Sequence, residues 1–199
     1  AGKTKPSLLE NYCNRNMSAG IAYTDESSGE AKGNRCEQNL YFGVLLQDAA
    51  VPQLMENHCS KNQVAGIVFT DESGGEAKGN RCEQNRKCGI SLQDNAGPQL
   101  IENHCNKNQE SGIVYTDESG GEAKGNRCEE NQRDGIYLQD NAQPQLIENH
   151  CNRNRESGIS YDDESGGEAK ENRCEQNRRH GIYLQYNAGP QLMENHCNR

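Results

Sequence analysis

The sequence predicts an all-β chain wound as a β-solenoid of about eight coils. Three observations predict it: a 23-residue period, apolar alternation in short segments, and turn residues that punctuate each period about three times. The period is most visible in cysteine. Nine of the ten cysteines, Cys13, Cys36, Cys59, Cys82, Cys105, Cys128, Cys151, Cys174 and Cys197, stand 23 residues apart, and Cys88 alone is off the grid. Asparagine keeps the same interval at Asn11, Asn34, Asn57, Asn80, Asn103, Asn126, Asn149, Asn172 and Asn195, and again in a second series from Asn16 to Asn177. A glycine series runs from Gly20 to Gly181, and each of its members precedes Ile or Val.

The alternation supplies the strands. In Gly135-Ile136-Tyr137-Leu138-Gln139, Ile136 and Leu138 share one face and Tyr137 takes the other. A unit of 23 residues is too short for a helix pair and has no helical periodicity. A second period of 46 overlies the first: residues 67–112 and 113–158 agree at 37 of 46 positions, as after duplication of a two-coil unit. The composition fits a thin core, with 31% hydrophobic residues, two Phe, no Trp and 21 Gly. A net charge of −9 argues against nucleic acid and anionic membrane as partners, and no stretch approaches the length of a membrane span. Residues 1–5 read as an N-terminal extension and 6–199 as one repeat domain without caps of its own.

The motif G-I-x-L-x-x-N-A-x-P-x-L-x-x-N-x-C-x-x-N, as at Gly135 to Asn154, resembles the repeat of right-handed parallel β-helix proteins. That group includes pectate-lyase-like enzymes, alginate epimerases and other carbohydrate-binding and hydrolase-type repeats. The resemblance covers Pro6 to Arg199. It implies a single-stranded right-handed parallel β-helix; the handedness comes from the resemblance and not from the spacing.

In such a stack identical residues lie over one another about 4.8 Å apart. The two asparagine series are then structural ladders, amide bonded to amide. The cysteine series reads as reduced core filler: stacked parallel side chains suit a disulfide poorly, C-x-x-C is missing, and the adjacent His58-Cys59 pair would point to opposite faces. Cys88, on a different turn, is expected to be partly exposed. Ten unpaired thiols favour a reducing compartment, whereas the resemblance admits secreted and cell-surface proteins, so localisation stays open. Asn16-Met17-Ser18 is a glycosylation sequon, but Asn16 belongs to a ladder.

An aspartate series, Asp25, Asp48, Asp71, Asp94, Asp117, Asp140 and Asp163, is expected to cap its own turns, with a calcium-binding edge as the lesser alternative; no other cofactor is indicated. The outer series Arg35, His58, Arg81, His104, Arg127, His150, Arg173 and His196 reads as a mutually neutralised face, offset by neighbours such as Glu56 and Lys78, rather than a track for an acidic polymer. Met17, Leu40, Tyr41, Phe42 and Val64 stand where later coils carry Arg, Gln, Glu and Lys, and form a candidate contact surface for protein or for a second copy, through the N-terminal coils or the open solenoid ends.

Departures from the repeat gather late, at Asp162, Glu171, His180 and Tyr186. They place no acid, base and nucleophile across one cleft, so catalysis is not expected. The first functional expectation is therefore a non-catalytic β-helical scaffold for protein binding or self-assembly. The alternative, implied by the resemblance, is a carbohydrate-binding or polysaccharide-modifying module. Its sugar platform would be Tyr137, Tyr183 and Tyr186, the first two in the same outward position two coils apart.

Overall fold

A computed structural model describes residues 2–199. Two parallel sheets run the length of the stack, and each coil contributes one strand to each. The first sheet has nine strands of three residues, from Ser7–Leu9 and Glu30–Lys32 to Glu168–Lys170 and Gln191–Met193. The second has eight, from Ala19–Tyr23, Phe42–Leu46 and Ala65–Phe69 through Ile136–Leu138 and Ile159–Tyr161 to Ile182–Leu184. Every pairing is parallel with a register of one period, as in Ala123 opposite Leu146 and Ile136 opposite Ile159. A third, one-residue-wide face carries the parallel bridges from Tyr12 and Arg35 through His58 to His196. Short strands on three sides close a narrow coil around one core.

The core is a set of columns. Ile136 and Leu138 point in from the second sheet, Leu146 from the first, and Cys151 from the bridge face, all fully buried. Volume alternates along these columns. The first sheet interleaves Leu54, Leu100 and Leu146 with Ala77, Ala123 and Ala169. The second interleaves Phe69, Tyr115 and Tyr161 with Leu92 and Leu138. The 46-residue period is therefore a packing period as well as a sequence period.

Corners need left-handed backbone. In the coil from Gln145 these residues are Glu148 (φ 54°), Arg153 (φ 55°) and Asp163 (φ 53°), and the pattern recurs in every coil. The carbonyl of Thr4 already accepts the N–H of Ser28, so the stacking begins within residues 1–5.

Inside the stack the corner asparagines saturate their amides. The Asn126 Nδ2 donates to the Leu100 carbonyl at 2.8 Å and to Asn149 Oδ1 at 3.0 Å, and its Oδ1 accepts from Asn103 N and Nδ2. The second series does the same against the cysteine carbonyls, as in Asn131 Nδ2 to Cys105 O at 3.0 Å. Cysteines from Cys36 to Cys174 are buried free thiols, Cys13 is half-buried and Cys197 exposed. Burial raises the thiols of Cys82 and Cys128 well above the ordinary range, which keeps them neutral.

Three expectations need correction. Cys88 is 6% exposed: it packs with Ala65 and Val68 in a small apolar cluster on the outer face of the second sheet, where Phe42, Leu45, Val64 and Val114 cover it. Burial pushes its thiol up to about 12. The aspartates do not cap their own turns. From Asp48 to Asp140 each carboxylate accepts the N–H of the aspartate one coil earlier, from Asp25 N on Asp48 at 2.9 Å to Asp117 N on Asp140 at 3.4 Å. A turn stacked on its copy puts that N–H nearer than its own. The bridge-face arginines are offset by a glutamate two residues on, not by Glu56 or Lys78: Arg35 with Glu37, Arg81 with Glu83, Arg127 with Glu129 and Arg173 with Glu175, at 3.0–3.2 Å. Residues i and i+2 of an extended segment share a face.

Candidate functional site

The outer face of the second sheet is the part of the molecule that changes along its length. The column that precedes the glycines reads Ala19, Phe42, Ala65, Cys88, then Ser111, Asp134, Ser157, His180. The outward strand column reads Ala22, Leu45, Val68, Ser91, Val114, then Tyr137, Ser160, Tyr183. The early coils thus build the apolar cluster around Ala65 and Cys88, and the late coils build a polar groove. This groove, about 240 Å³, is lined by Arg133, Asp134, Tyr137, Ser160, Asp162, Arg179, His180 and Tyr183, among others.

Asp134 is the buried carboxyl group of the groove, 3% exposed. Its Oδ1 accepts the Ser160 hydroxyl at 2.8 Å and the Ser157 N–H at 3.0 Å. Desolvation raises its pKa above the ordinary carboxylate value, and those two bonds oppose the rise. A raised folded-state pKa means that the folded chain holds the proton more tightly than the unfolded chain. The stability from this group is present below the unfolded value of about 4 and is lost as pH rises through the folded value. Asp134→Asn keeps the Oδ1 acceptor and removes the ionisation. The variant is expected to gain stability relative to the parent from about pH 4 upward, until the gain levels off. Urea unfolding at a series of pH values checks this; a stability difference that does not vary with pH would rule it out.

Asp162 lies on the other side of Ser160 and replaces the Thr116 and Gln139 of earlier coils in its column. Its Oδ2 accepts the Tyr137 hydroxyl at 2.9 Å and its Oδ1 accepts the Asp163 N–H at 2.8 Å. The last aspartate-to-aspartate bond of the ladder is Asp117 N on Asp140; Asp163 N donates to Asp162 instead, and the next coil carries Tyr186 in place of an aspartate. Tyr137 is half-buried, with the Arg133 guanidinium 5.7 Å from its ring centroid. Tyr183 is exposed and stacked on His180, ring centroids 4.7 Å apart at 15°. Ser160, with its small side chain, leaves a gap between the two tyrosines, which are two coils, or about 9.6 Å, apart along the axis.

The structure brings Tyr137 and Tyr183 into this groove and leaves Tyr186 outside it. Tyr186 takes the aspartate position of the last coil at φ 50°, and faces a separate depression with Asp140, Asn141, Asp163 and Glu164. Glu171 stands in a corner column where Gly33, Gly79 and Gly125 stand in alternate coils, remote from the groove. Met17, Leu40 and Tyr41 are exposed, whereas Phe42 and Val64 are half-buried against the Cys88 cluster. Among the described residues, no group of three or more His, Cys, Asp or Glu is placed to hold a metal ion.

The sequence pattern described as right handed beta helix region matches residues 1–96 and 75–197. The chain belongs to the right-handed β-helix family. No curated protein matches it. Among solved structures, this β-helix is similar to a point mutant of the periplasmic alginate epimerase AlgG, with a TM-score of 0.77, 19% identity, and coverage of 94% of this chain and 47% of that one. A second structure, of the periplasmic alginate epimerase AlgG, gives a TM-score of 0.69 at 20% identity, covering 93% of this chain and 46% of that one. The β-helix described here thus spans less than half the length of these epimerase chains, and at this identity the likeness is one of fold.

Asp134, Ser160, Arg133 and Arg179 were not singled out from the sequence, although a signal existed. Reading the grid column by column, rather than by its most regular letters, shows the change from Cys88 to Asp134 and from Val114 to Tyr137.

Proposed function

We propose that this β-helix is a carbohydrate-binding module whose site is the groove between Tyr137 and Tyr183. The observation that supports the reading most is the groove itself: two aromatic rings in one outward column, separated by Ser160, over the buried Asp134 carboxyl. Aromatic faces take the apolar faces of sugar rings, and carboxylates and hydroxyls fix their orientation. The fold likeness to the alginate epimerase AlgG supports a saccharide along this face.

We propose further that the module binds rather than turns over its ligand. The groove carboxylates are committed to internal bonds, Asp134 to Ser160 and Ser157, Asp162 to Tyr137 and Asp163, and Glu156 to Arg179. These bonds hold the shape of the groove. Calorimetric titration with short oligosaccharides is expected to show binding that Tyr183→Ala weakens by roughly tenfold, about 1.4 kcal/mol, with Tyr183→Phe close to the parent. Equal affinities for the parent and Tyr183→Ala would remove the groove as the site. Release of shortened or unsaturated products from alginate or pectate would overturn the non-catalytic reading.

A second reading rests on the exposed Met17 (81%), Leu40 (43%) and Tyr41 (48%) at the other end of the same face: contact with a protein or a second copy. Sedimentation at increasing concentration is expected to show association that Met17→Glu with Leu40→Glu suppresses; a monomer at every concentration would exclude self-association.

A further inference from the structure

Building on the carbohydrate-binding groove proposed above, we infer that the sugar it takes is an amino sugar, whose protonated amine is read by Oδ2 of the buried Asp134.

Two carboxylates are buried among the described residues, Glu129 and Asp134, and their surroundings differ. Glu129 is 6% exposed and is held by two guanidinium groups, Arg127 at 3.2 Å and Arg153 at 2.7 Å. Asp134 is the more deeply buried of the two, yet no cation of the described residues stands within ion-pair distance of it. A carboxylate can accept about four hydrogen bonds. Asp134 accepts two, from Ser157 N and Ser160 Oγ, and both fall on Oδ1. Among the described residues nothing donates to Oδ2, although the side chain lines the groove. Arg133, next to it in sequence, has its guanidinium by the Tyr137 ring instead, 5.7 Å from the centroid. Buried charge is ordinarily paired. Here the pairing position opens on the groove. Serine holds the same place one coil earlier and one coil later, at Ser111 and Ser157, so the carboxylate is particular to this coil.

The balance of charge in the lining points the same way. Asp134, Glu156 and Asp162 stand against Arg133 and Arg179. Arg179 pairs with Glu156 at 3.5 Å. Two carboxylates then face one guanidinium, a deficit that a single ammonium group corrects. The rings add to it. A group above Ser160 lies one coil, about 4.8 Å, along the axis from Tyr137 and from Tyr183. A cation within about 6 Å of an aromatic face is attracted to it. A hexosamine can lay the apolar face of its ring on a tyrosine while its ammonium reaches the carboxylate beneath. An N-acetylated sugar presents a neutral amide at that point, and a uronic acid would add a fourth carboxylate to the site.

The test is calorimetric titration of the full chain at about pH 6, where amines are protonated. The probes are a glucosamine tetramer, its fully N-acetylated counterpart, cellotetraose, and putrescine as an amine without a sugar. The parent is expected to bind the glucosamine tetramer about tenfold more tightly than the other two tetramers. Asp134→Asn, which keeps the Oδ1 acceptor, is expected to erase that preference. Asp134→Ser, which restores the residue of the neighbouring coils, is a second variant with the same expectation. Glu164→Gln removes an equal charge from an exposed position in the separate depression, and should keep the preference. Lowering the pH toward about 4 should weaken binding of the glucosamine tetramer to the parent, as Asp134 takes up its proton, and weaken it less in Asp134→Asn. Glu156, Asp162, Arg133, Arg179 and His180 face the groove in both proteins, so the difference between the two profiles belongs to Asp134.

Equal affinity of the parent for the three tetramers, or a preference that survives in both Asp134 variants, overturns the amino-sugar inference. If Tyr183→Ala still weakens all three tetramers, the carbohydrate groove stands without it. Putrescine bound as tightly as the glucosamine tetramer would give the groove to a simple amine and overturn the sugar with it. If none of the four probes binds, both the groove and its amino sugar fall.

Discussion

Asn103→Leu is expected to destabilise the protein by about 3–5 kcal/mol, out of a total that for domains of this kind is about 5–15 kcal/mol. The effect follows from counting partners. Asn103 is completely buried. Its Oδ1 accepts Asn80 N at 3.0 Å and Asn80 Nδ2 at 2.9 Å, while its Nδ2 donates to the Ala77 carbonyl at 2.8 Å and to Asn126 Oδ1 at 3.0 Å. Leucine has similar size and none of this capacity. The substitution leaves a backbone N–H, a side-chain N–H and a backbone carbonyl without partners where no water reaches them. Each such group costs about 1–3 kcal/mol, with some relief from local relaxation.

Asn103→Asp is expected to be no better. It keeps the acceptor but loses both donors and places a charge opposite a carbonyl. Asn141→Ala is the control, since that side chain is exposed, and should change stability by less than about 0.5 kcal/mol. Urea unfolding of the three variants decides the matter, with hydrogen exchange to show whether the loss is confined to adjacent coils, as a one-dimensional stack predicts. If Asn103→Leu unfolds at the same midpoint as Asn141→Ala, the ladder is ornamental and the columns of apolar side chains hold the coil alone.

The asparagine ladders were legible in the sequence because their geometry repeats without exception, and so were the strands, the parallel register implied by the period, and the inward Ile136, Leu138 and Leu146. What the sequence hid was everything decided by which neighbour is nearer across coils. Asp48 bonds the coil before it because stacking at one period places that N–H closest, and Arg81 pairs with Glu83 because residues two apart in an extended segment share a face. Cys88 looked exposed as the one cysteine off the grid. Its burial depends on Phe42, Val64 and Val114, which are distant in sequence and meet only on the outer face of the second sheet. The groove was half legible: Tyr137 and Tyr183 share a column that alternation reveals, whereas the Asp134 carboxyl reaches Ser160 across 26 residues, one period plus three residues.

The two-coil period has a physical basis, and Gly121→Ala tests it. One corner column alternates glycine and proline: Gly29, Pro52, Gly75, Pro98, Gly121, Pro144, Gly167. Each of these glycines has φ between 86° and 96°, a region that side chains rarely enter. A Cβ on Gly121 would sit 2.3 Å from the Pro98 carbonyl oxygen and 2.9 Å from the Gly97 carbonyl carbon. Both are backbone atoms of the preceding coil and cannot move without opening the stack. Gly121→Ala is therefore expected to cost about 3 kcal/mol or more, from left-handed strain together with overlap. The adjacent Gly120→Ala supplies the comparison. Its Cβ would meet nothing nearer than the Gln143 carbonyl oxygen at 3.5 Å, and its φ needs no glycine. That variant should be neutral or stabilised by about 0.4–1 kcal/mol through loss of unfolded-state freedom. Two neighbouring glycines with opposite outcomes in the same urea experiment would show that each proline coil requires a glycine coil after it, so that the duplicated unit is 46 residues for a steric reason. Equal outcomes would leave the 46-residue period as a trace of duplication alone.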